Sequence, residues 1–307
     1  IIEAGIKDIG IIVGPNKEQV IETVRSASWE ANIEFIYQGE PKGLAHAVKV
    51  AGDFIGDSSF VMYLGDNLLK EGIEAHVDRF INGNFDCSIL LSQVKDPQRF
   101  GVAELNSRGE VVRLIEKPAK PPSNLALVGI YIFKPIVFQA VENIKPSWRG
   151  ELEITDAIQW LIDRGYKVVA SLVSGWWKDT GLPEDILEGN RLVLDGLEPE
   201  NLGLVGEDAS IEGRVRIGEG TRITGKSVIK GPAVIGANCV IENSCIGPYT
   251  TIGNRCRIIS SEIQDSIVME ATTVEECGRI VDSLIGSDAK VRNCLLYTSD
   301  AADEEDS

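Results

Sequence analysis

Aliphatic residues in the last third of the chain recur with a period of six. Including one shorter step of five residues, the series comprises Val205, Ile211, Ile217, Ile223, Ile229, Ile235, Ile241, Ile246, Ile252 and Ile258. The residue four places after each of the first nine is small, as at Ala209, Cys239, Cys245 and Cys256, and we interpret these cysteines as buried core fillers. A six-residue period fits neither an α-helix nor an ordinary strand, but it is typical of a coil with one hexad per face. We therefore predict a left-handed parallel β-helix of hexapeptide repeats over residues 201–294.

The repeat becomes less regular after residue 262. The stretch from Ile263 to Val291 is either a cap on an open strand edge or a set of further coils. The last residues, 295–307, lose the hexad and turn polar and acidic, and we interpret them as a non-native tail.

Residues 1–200 show a different pattern, in which short apolar segments alternate with amphipathic ones. The predicted order is strand 10–14, helix 16–28, strand 33–38, helix 44–54, strand 58–67, helix 71–82 and strand 87–94. Three further strands with short turns follow, and then helix 152–164, strand 167–173 and helix 183–197. Such alternation is typical of helices packed on a sheet. We predict an α/β fold, a Rossmann-like domain over residues 1–200 with a mixed, mainly parallel sheet.

Composition restricts the partners of the protein. The chain has 307 residues and a formal net charge of −17, so DNA or RNA is a poor partner, and an anionic substrate needs local cations or a bound metal. No apolar run approaches the roughly 20 residues that cross a bilayer, and we expect no signal peptide. The 6 cysteines form no CxxC pair, which argues against zinc, and reduced thiols predict a cytoplasmic protein.

Two aspartates follow predicted strands where an open α/β sheet binds its ligands, beyond the carboxyl ends of the strands. Asp66 ends the apolar segment FVMYLG, and Asp179 lies in GWWKDTG. Carboxylates suit Mg²⁺, which keeps waters and substrate phosphates in its shell. The alternatives are a turn-forming Asp66 and an Asp179 that caps the following helix.

Three other segments contain candidate binding groups. In QGEPKGLAHA, Gln38 offers a donor and an acceptor to a nucleobase, and Gly43 permits close approach of a flat ligand. Lys117, after Glu116, and Arg149, ahead of a predicted helix, could hold phosphate. Each segment also has a plain interpretation, respectively a strand–helix turn, a solvated ion pair and an exposed loop arginine.

The motifs QxxPxGLAxA, LGDN, RFGVAEL, EKP, RGELEITD and GWWKDTG occur in this order ahead of the hexads. Together they resemble the sugar-1-phosphate nucleotidylyltransferases, most closely the long-form glucose-1-phosphate thymidylyltransferases. The resemblance implies that glucose 1-phosphate attacks the α-phosphate of dTTP and that pyrophosphate leaves. It also implies a Mg²⁺ cofactor, and such proteins are expected to form homo-oligomers.

The resemblance assigns roles to individual residues. It implies that Asp66 and Asp179 hold Mg²⁺, and that the nucleotide contacts Gln38, Pro41, Gly43 and Asp66. It implies that the sugar phosphate is bound by Gly101, Glu116, Lys117, Val128, Gly129, Arg149 and Trp177. Among these residues the catalytic set is Asp66, Asp179, Lys117 and Arg149.

One motif of the family is missing. Its Gly-rich loop, with an arginine and a lysine, would precede Ile1, and no GxGxR segment occurs later. We therefore expect the 307-residue chain by itself to be inactive and its N-terminal domain to fold weakly.

Three alternatives remain open at this stage. The nucleotide could be UTP or GTP, and the protein could be a non-catalytic regulatory subunit of the same fold. An acyltransferase activity of the β-helix is disfavoured because the only histidines, His46 and His76, lie upstream of it.

Overall fold

The computed structural model describes residues 1–15 and 17–293, so the predicted acidic tail lies outside the described residues. The chain divides into two compact units, Ile1–Asp179 and Thr180–Ser307. The first unit is an α/β domain, and the second contains one helix followed by a β-solenoid.

The strands described in the first unit are β1 (Asp8–Val13), β2 (Asn32–Tyr37), β3 (Phe60–Tyr63), β4 (Asn67–Leu69), β5 (Cys87–Gln93), β6 (Gly101–Leu105), β7 (Val111–Glu116), β8 (Leu125–Phe133), β9 (Val168–Leu172) and β10 (Trp177–Asp179). The helices are α1 (Lys17–Arg25), α2 (Leu44–Val50), α3 (Gly52–Ile55), α4 (Glu74–Asn82), α5 (Ile136–Asn143) and α6 (Ile154–Asp163), with a 3₁₀ turn at Pro97–Arg99. The sequence pattern did not predict α5, β4 or β10.

The main sheet has the order β7-β6-β8-β5-β9, and β3 also pairs with β8. The pair β5–β9 is parallel, whereas β8 runs antiparallel to β3, β5 and β6. A separate parallel pair is formed by β1 and β2. The predicted mixed α/β fold is therefore confirmed: β3, β5, β6 and β9 share one direction, and β7 and β8 run against them.

Helix α6 is positioned by an apolar face against the sheet. Ile154, Ile158 and Leu161 recur at helical spacing, and each is at most 2% exposed. They belong to one core cluster with Leu91 and Phe133 of the sheet. This packing fixes the N-terminus of α6, and therefore the loop that precedes it, beside the sheet.

The second unit contains helix α7 (Pro183–Asp195) and short solenoid strands. The strands are β11 (Glu200–Asn201), β12 (Leu204–Val205), β13 (Ser210–Glu212), β14 (Val215–Ile217), β15 (Arg222–Thr224), β16 (Val228–Lys230), β17 (Ala233–Ile235), β18 (Val240–Glu242), β19 (Cys245–Ile246), β20 (Thr250–Ile252), β21 (Arg257–Ile259), β22 (Glu262–Gln264), β23 (Ile267–Val268), β24 (Thr273–Glu275), β25 (Ile280–Val281), β26 (Leu284–Ile285) and β27 (Lys290–Arg292).

The solenoid strands stack into three parallel sheets of 6, 6 and 5 strands. Register places the aliphatic residues of successive coils directly above one another, as for Ile217, Ile235 and Ile252. These residues are at most 1% exposed, so the hexad period is the period of a continuous core. The predicted repeat fold is confirmed.

The irregular stretch after residue 262 consists of further coils, because β22 to β27 continue all three sheets. Where successive core aliphatics are five residues apart, as Ile258 and Ile263 are, the corner of the coil is one residue shorter. The aliphatic side chains still stack in the core. Cys239 and Cys256 are buried as predicted, but Cys245 is half-buried and Ser244 takes the small buried position. The five-residue step before Ile246 moves that position by one residue.

Helix α7 is held to the solenoid by polar side chains. Arg191 donates to Asp265 at 2.8 Å and to Asp282 at 2.5 Å. Asn190 donates to the carbonyl of Tyr249 at 3.0 Å and accepts a hydrogen bond from Thr251 at 2.6 Å. The helix therefore belongs to the same compact unit as the coils. Across both units, no described helix combines the length and apolarity required to cross a membrane.

Truncation of a core aliphatic should destabilise the solenoid. Ile241→Ala is expected to lower its free energy of unfolding by about 2–5 kcal/mol, because the side chain is fully buried and leaves a cavity. Ile211→Ala removes the same atoms from a repeat position that is 36% exposed, and should cost clearly less. Denaturant unfolding monitored by circular dichroism measures both, and equal costs would contradict the stacked-core description.

Candidate active site

Two short strands bring Asp66 and Asp179 together. Strands β4 and β10 pair antiparallel, with Asn67 opposite Asp179. Paired Cα atoms in such a ladder lie about 4.5–5.5 Å apart, and Asp66 directly precedes Asn67. The two aspartates that the sequence singles out therefore have neighbouring backbones, although they are far apart along the chain.

Asn67 links Asp66 to Trp177. Its amide Nδ2 donates to Oδ1 of Asp66 at 2.8 Å, and its Oδ1 accepts a hydrogen bond from the indole Nε1 of Trp177 at 2.6 Å. The residue is 6% exposed, and its buried polar atoms thus have partners. Asn67 is a site residue that sequence reasoning did not single out; its place inside LGDN was the available signal.

Gly129 makes room for this asparagine. It adopts φ +61, and a Cβ atom there would lie 3.0 Å from Nδ2 of Asn67 and 2.9 Å from Cδ1 of Leu64. The Leu64 amide donates to the Gly129 carbonyl at 3.0 Å. The neighbouring Val128 is fully buried, so its side chain packs in the core and only its backbone could face a ligand.

Gly101 and Glu116 face each other across strands β6 and β7. The hydroxyl of Thr155 donates to Oε2 of Glu116 at 3.1 Å, and Thr155 itself is 1% exposed. A Cβ at position 101 would lie 2.7 Å from Cγ2 of Thr155. The glycine thus permits the approach of α6 to the sheet, and Thr155 is a site residue that sequence reasoning did not single out.

Arg149 lies among three carboxylates. Its Nη2 is 2.9 Å from Glu151, and its Nη1 is 3.4 Å from Glu153 and 3.8 Å from Glu116. The side chain is 25% exposed. The exposed loop arginine that the plain interpretation favoured is therefore wrong: this guanidinium is largely buried and ion-paired.

The environment of Glu116 raises its pKa. Burial is the main cause, and the nearby negative charge of Glu153 adds to it. The hydrogen bond from Thr155 and the charges of Lys117 and Arg149 oppose the shift without cancelling it. The ionised carboxylate of Glu116 is therefore disfavoured in the folded protein.

Lys117 links the Glu116 region to Trp177. Its amide donates to the carbonyl of Phe100 at 3.0 Å, and the Phe100 ring meets Trp177 edge-on with centroids 5.4 Å apart. Within the described part of the first unit, Lys117 is the one non-glycine residue at positive φ, with a value of 41°. Such strained backbone persists where its surroundings hold it, often at functional sites. Its side chain is exposed.

The QGEPKGLAHA segment adjoins the Arg149 loop. The Gln38 amide lies 3.3 Å from the Gly43 carbonyl and 3.2 Å from Nδ1 of His46, and Pro41 is exposed. A Cβ at Gly43 would lie 2.5 Å from the carbonyl oxygen of Leu152. Gly43 is thus required by its own fold, whether or not a ligand binds there.

The ligand atoms at the site suit a metal ion that takes only part of its coordination shell from the protein. Within residues 1–15 and 17–293, no group of three or more His, Cys, Asp or Glu side chains could hold a metal ion. A pair of aspartates, one of them oriented by an amide hydrogen bond, suits Mg²⁺ bound together with waters and substrate phosphates.

The chain is similar in sequence to known nucleotidyl transferases. A family model described as nucleotidyl transferase matches residues 1–196. A glucose-1-phosphate thymidylyltransferase from Streptomyces antibioticus is 49% identical over 294 residues, which are 95% of this chain and 82% of the relative. A low-salt glycan biosynthesis nucleotidyltransferase from Haloferax volcanii is 46% identical over 292 residues, 94% of this chain and 82% of the relative.

Solved structures share the fold. A Bacillus anthracis protein, described as a candidate glucose-1-phosphate thymidylyltransferase in complex with sucrose, superposes with a TM-score of 0.57 at 35% identity. The match covers 62% of this chain and 77% of that one. A UDP-glucose pyrophosphorylase complexed with UDP-glucose gives a TM-score of 0.54 at 24% identity, over 61% of this chain and 80% of that one.

Gly43→Ala should destabilise the first unit more than Gly39→Ala. Both glycines have positive φ, which costs an alanine about 1–2 kcal/mol in the left-handed region. Only the Cβ at position 43 would meet backbone, at Leu152, whereas nothing lies within 4 Å at position 39. Thermal unfolding of the two variants measures the difference, and a less stable Gly39→Ala would contradict the described contact.

Glu116→Gln should stabilise the protein in a pH-dependent way. Because the folded-state pKa is raised, ionisation of Glu116 costs stability above that pKa and costs none when the carboxyl is protonated in both states. The variant should therefore be more stable than wild type at alkaline pH, and the advantage should vanish as the pH falls through the raised pKa to the ordinary glutamate value.

Glu110→Gln provides a control of opposite sign. The hydrogen bond from Asn106 lowers the pKa of Glu110, so this variant should lose stability above the ordinary glutamate pKa. Denaturant unfolding over a pH series tests both variants. An advantage of Glu116→Gln that is the same at every pH would contradict the electrostatic explanation.

Proposed function

The chain belongs to the nucleotidyl transferase family, and we propose that its site serves the transfer of a thymidylyl group from dTTP to glucose 1-phosphate, giving dTDP-glucose and pyrophosphate, with the family's Gly-rich loop as the remaining part of the site. Relatives named glucose-1-phosphate thymidylyltransferases, from two Streptomyces species, are 49% and 45% identical over nearly all of this chain. The order of motifs from QxxPxGLAxA to GWWKDTG supports the same reaction.

The observation that carries the proposal is the register of β4 and β10. It makes neighbours of Asp66 and Asp179, the residues that would hold Mg²⁺. The ion, when bound, offsets negative charge on the phosphate oxygens of the substrates. Asn67 fixes the orientation of the Asp66 carboxylate through its 2.8 Å hydrogen bond.

The remaining groups position the sugar phosphate. Glucose would lie against Gly101, Glu116, Gly129 and Trp177, and the backbone of Val128. Its phosphate would meet Lys117 and Arg149, which neutralise charge as two anions approach. The attacking phosphate oxygen needs no general base, because a phosphate monoester is largely deprotonated at neutral pH. Catalysis then depends on alignment and charge neutralisation.

The nucleotide would bind at the QGEPKGLAHA segment. Gln38 can present its Oε1 acceptor to a base, and its Nε2 donor on release of its contact with Gly43 or His46, while Pro41 lies exposed in the same segment. Thymine and uracil share the same hydrogen-bonding edge, so a UTP-dependent transferase is the main alternative.

A nucleotide panel distinguishes these possibilities. The protein, with the family's Gly-rich loop included, is incubated with glucose 1-phosphate, Mg²⁺ and, separately, dTTP, UTP or GTP, while pyrophosphate release and sugar-nucleotide formation are measured. We expect the highest kcat/KM with dTTP. A preference for UTP or GTP would overturn the nucleotide assignment, and no product with any of them would overturn the enzymatic function.

Loss of either aspartate charge should abolish most of the activity. Asp66→Asn and Asp179→Asn keep side-chain size, and Asn at position 66 still offers an oxygen to the Asn67 amide. Each is expected to lower kcat/KM at least about a hundredfold, as removal of one preorganised electrostatic group does in other enzymes. Asp57→Asn, an exposed aspartate outside the site, is the control and should be unaffected. Full activity in either site variant would contradict the proposed metal ligands.

A further inference from the structure

The charge around Arg149 is unfavourable for an anion. Its guanidinium is flanked by Glu116, Glu151 and Glu153, so the formal negative charges of Glu151 and Glu153 outnumber its single positive charge even when Glu116 is protonated. A phosphate dianion gains little from a cation that is already neutralised by its neighbours. For Arg149 to hold the phosphate, one of these carboxylates has to leave.

Glu116 and Glu153 are held in place by other groups. The Glu153 side chain is 4% exposed and accepts a hydrogen bond from the Ser147 hydroxyl at 2.7 Å. The Glu116 side chain is 18% exposed and accepts one from the Thr155 hydroxyl at 3.1 Å. Displacement of Glu116 would leave the buried Thr155 hydroxyl without its acceptor, and displacement of Glu153, itself almost fully buried, would break its hydrogen bond from Ser147; both cost free energy.

Glu151 differs from both. Its side chain is 34% exposed, the most of the three, and it makes the shortest contact with Arg149, at 2.9 Å to Nη2. Because it lies at the rim of the cluster, its carboxylate can regain water when it turns away. The Nη2 group that it releases is then available to a phosphate oxygen.

The backbone of the loop need not change for this exchange. The Ser147 amide donates to the Glu151 carbonyl at 2.7 Å, and the Gly150 amide donates to the Ser147 carbonyl at 2.9 Å. These bonds close the turn and fix the Cα of Glu151. Rotation about the side-chain bonds of Glu151 is sufficient to free the guanidinium.

We propose that the Glu151 carboxylate occupies, in the ligand-free protein, the place at Arg149 that the phosphate of the sugar phosphate takes, and thereby sets the affinity for that substrate. The proposal rests on the proposed function, since it takes Arg149 as a phosphate-binding group. Glu151 is then a positioning residue that competes with the substrate rather than a ligand of it.

Glu151→Gln tests the competition. The amide keeps the shape and an oxygen for Arg149 but removes the charge. We expect the KM for glucose 1-phosphate to fall about two- to fivefold, the scale of a partly exposed ion pair, with kcat and the KM for the nucleotide unchanged. Glu151→Asp, which keeps the charge, should have a KM close to that of wild type.

Glu110→Gln is the matched control. Glu110 makes a contact of the same length, 2.9 Å, with Arg108, in the turn between β6 and β7. Loss of this negative charge should leave the KM for glucose 1-phosphate unchanged. An equal fall in both variants would show a general effect of net charge and would overturn the proposal.

A stabilising role for Glu151 gives the opposite result. If its ion pair only holds the loop, Glu151→Gln lowers the melting temperature and raises the KM, and the proposal is wrong. Calorimetric titration of glucose 1-phosphate into wild type and Glu151→Gln gives affinities without turnover. If the wild type is active and Glu151→Gln binds glucose 1-phosphate with unchanged affinity, this inference is refuted and the proposed function stands. If the wild type turns over none of the nucleotides, the proposed function is refuted.

Discussion

The pairing of β4 with β10 is the constraint on which the candidate site depends. These strands have three residues each, yet their register places Asn67 opposite Asp179 and so makes the backbones of Asp66 and Asp179 neighbours. The hydrogen bonds of Asn67 to Asp66 and Trp177 hold the pair in place, and Gly129 leaves space for the asparagine. Two carboxylates on neighbouring backbones suit a cation that takes waters and phosphates into its shell, as the proposed reaction requires.

Electrostatic balance governs the other half of the site. Arg149 compensates the buried carboxylates of Glu116 and Glu153, which raises the question of how the same cation could serve a substrate phosphate. The exposed position of Glu151 offers an answer. Nη1 of Arg149 stays with Glu116 and Glu153, whereas Nη2 exchanges Glu151 for the substrate phosphate. In the proposed exchange Arg149 stays ion-paired until an anionic substrate competes for it, whereas Lys117 remains exposed.

The residue pattern along the chain predicted the solenoid and most elements of the α/β domain. The features that it missed have physical reasons. The hexads revealed the solenoid because each aliphatic contacts its equivalent in the next coil, so sequence period and core period coincide. Strands β4 and β10 escaped prediction because three residues carry no periodicity and their pairing joins distant segments. The repeat predicted Cys245 as the small buried residue of its coil, but Ser244 takes that place. The reason is that Ile241 and Ile246 are only five residues apart, which shifts the repeat by one residue. The motifs identified the aspartates, but Thr155 and the three partners of Arg149 emerged only from the packing of α6 on the sheet.

Direct measurement of divalent-cation binding tests the central claim most sharply. Mn²⁺ is titrated into wild type, Asp66→Asn, Asp179→Asn and the double variant in the presence of nucleotide, and bound ion is counted by electron paramagnetic resonance. If the two carboxylates share one ion, each single variant should lose the same site, and the double variant should lose little more than either. Retention of the site in one single variant with loss in the other, or independent additive losses, would contradict the account.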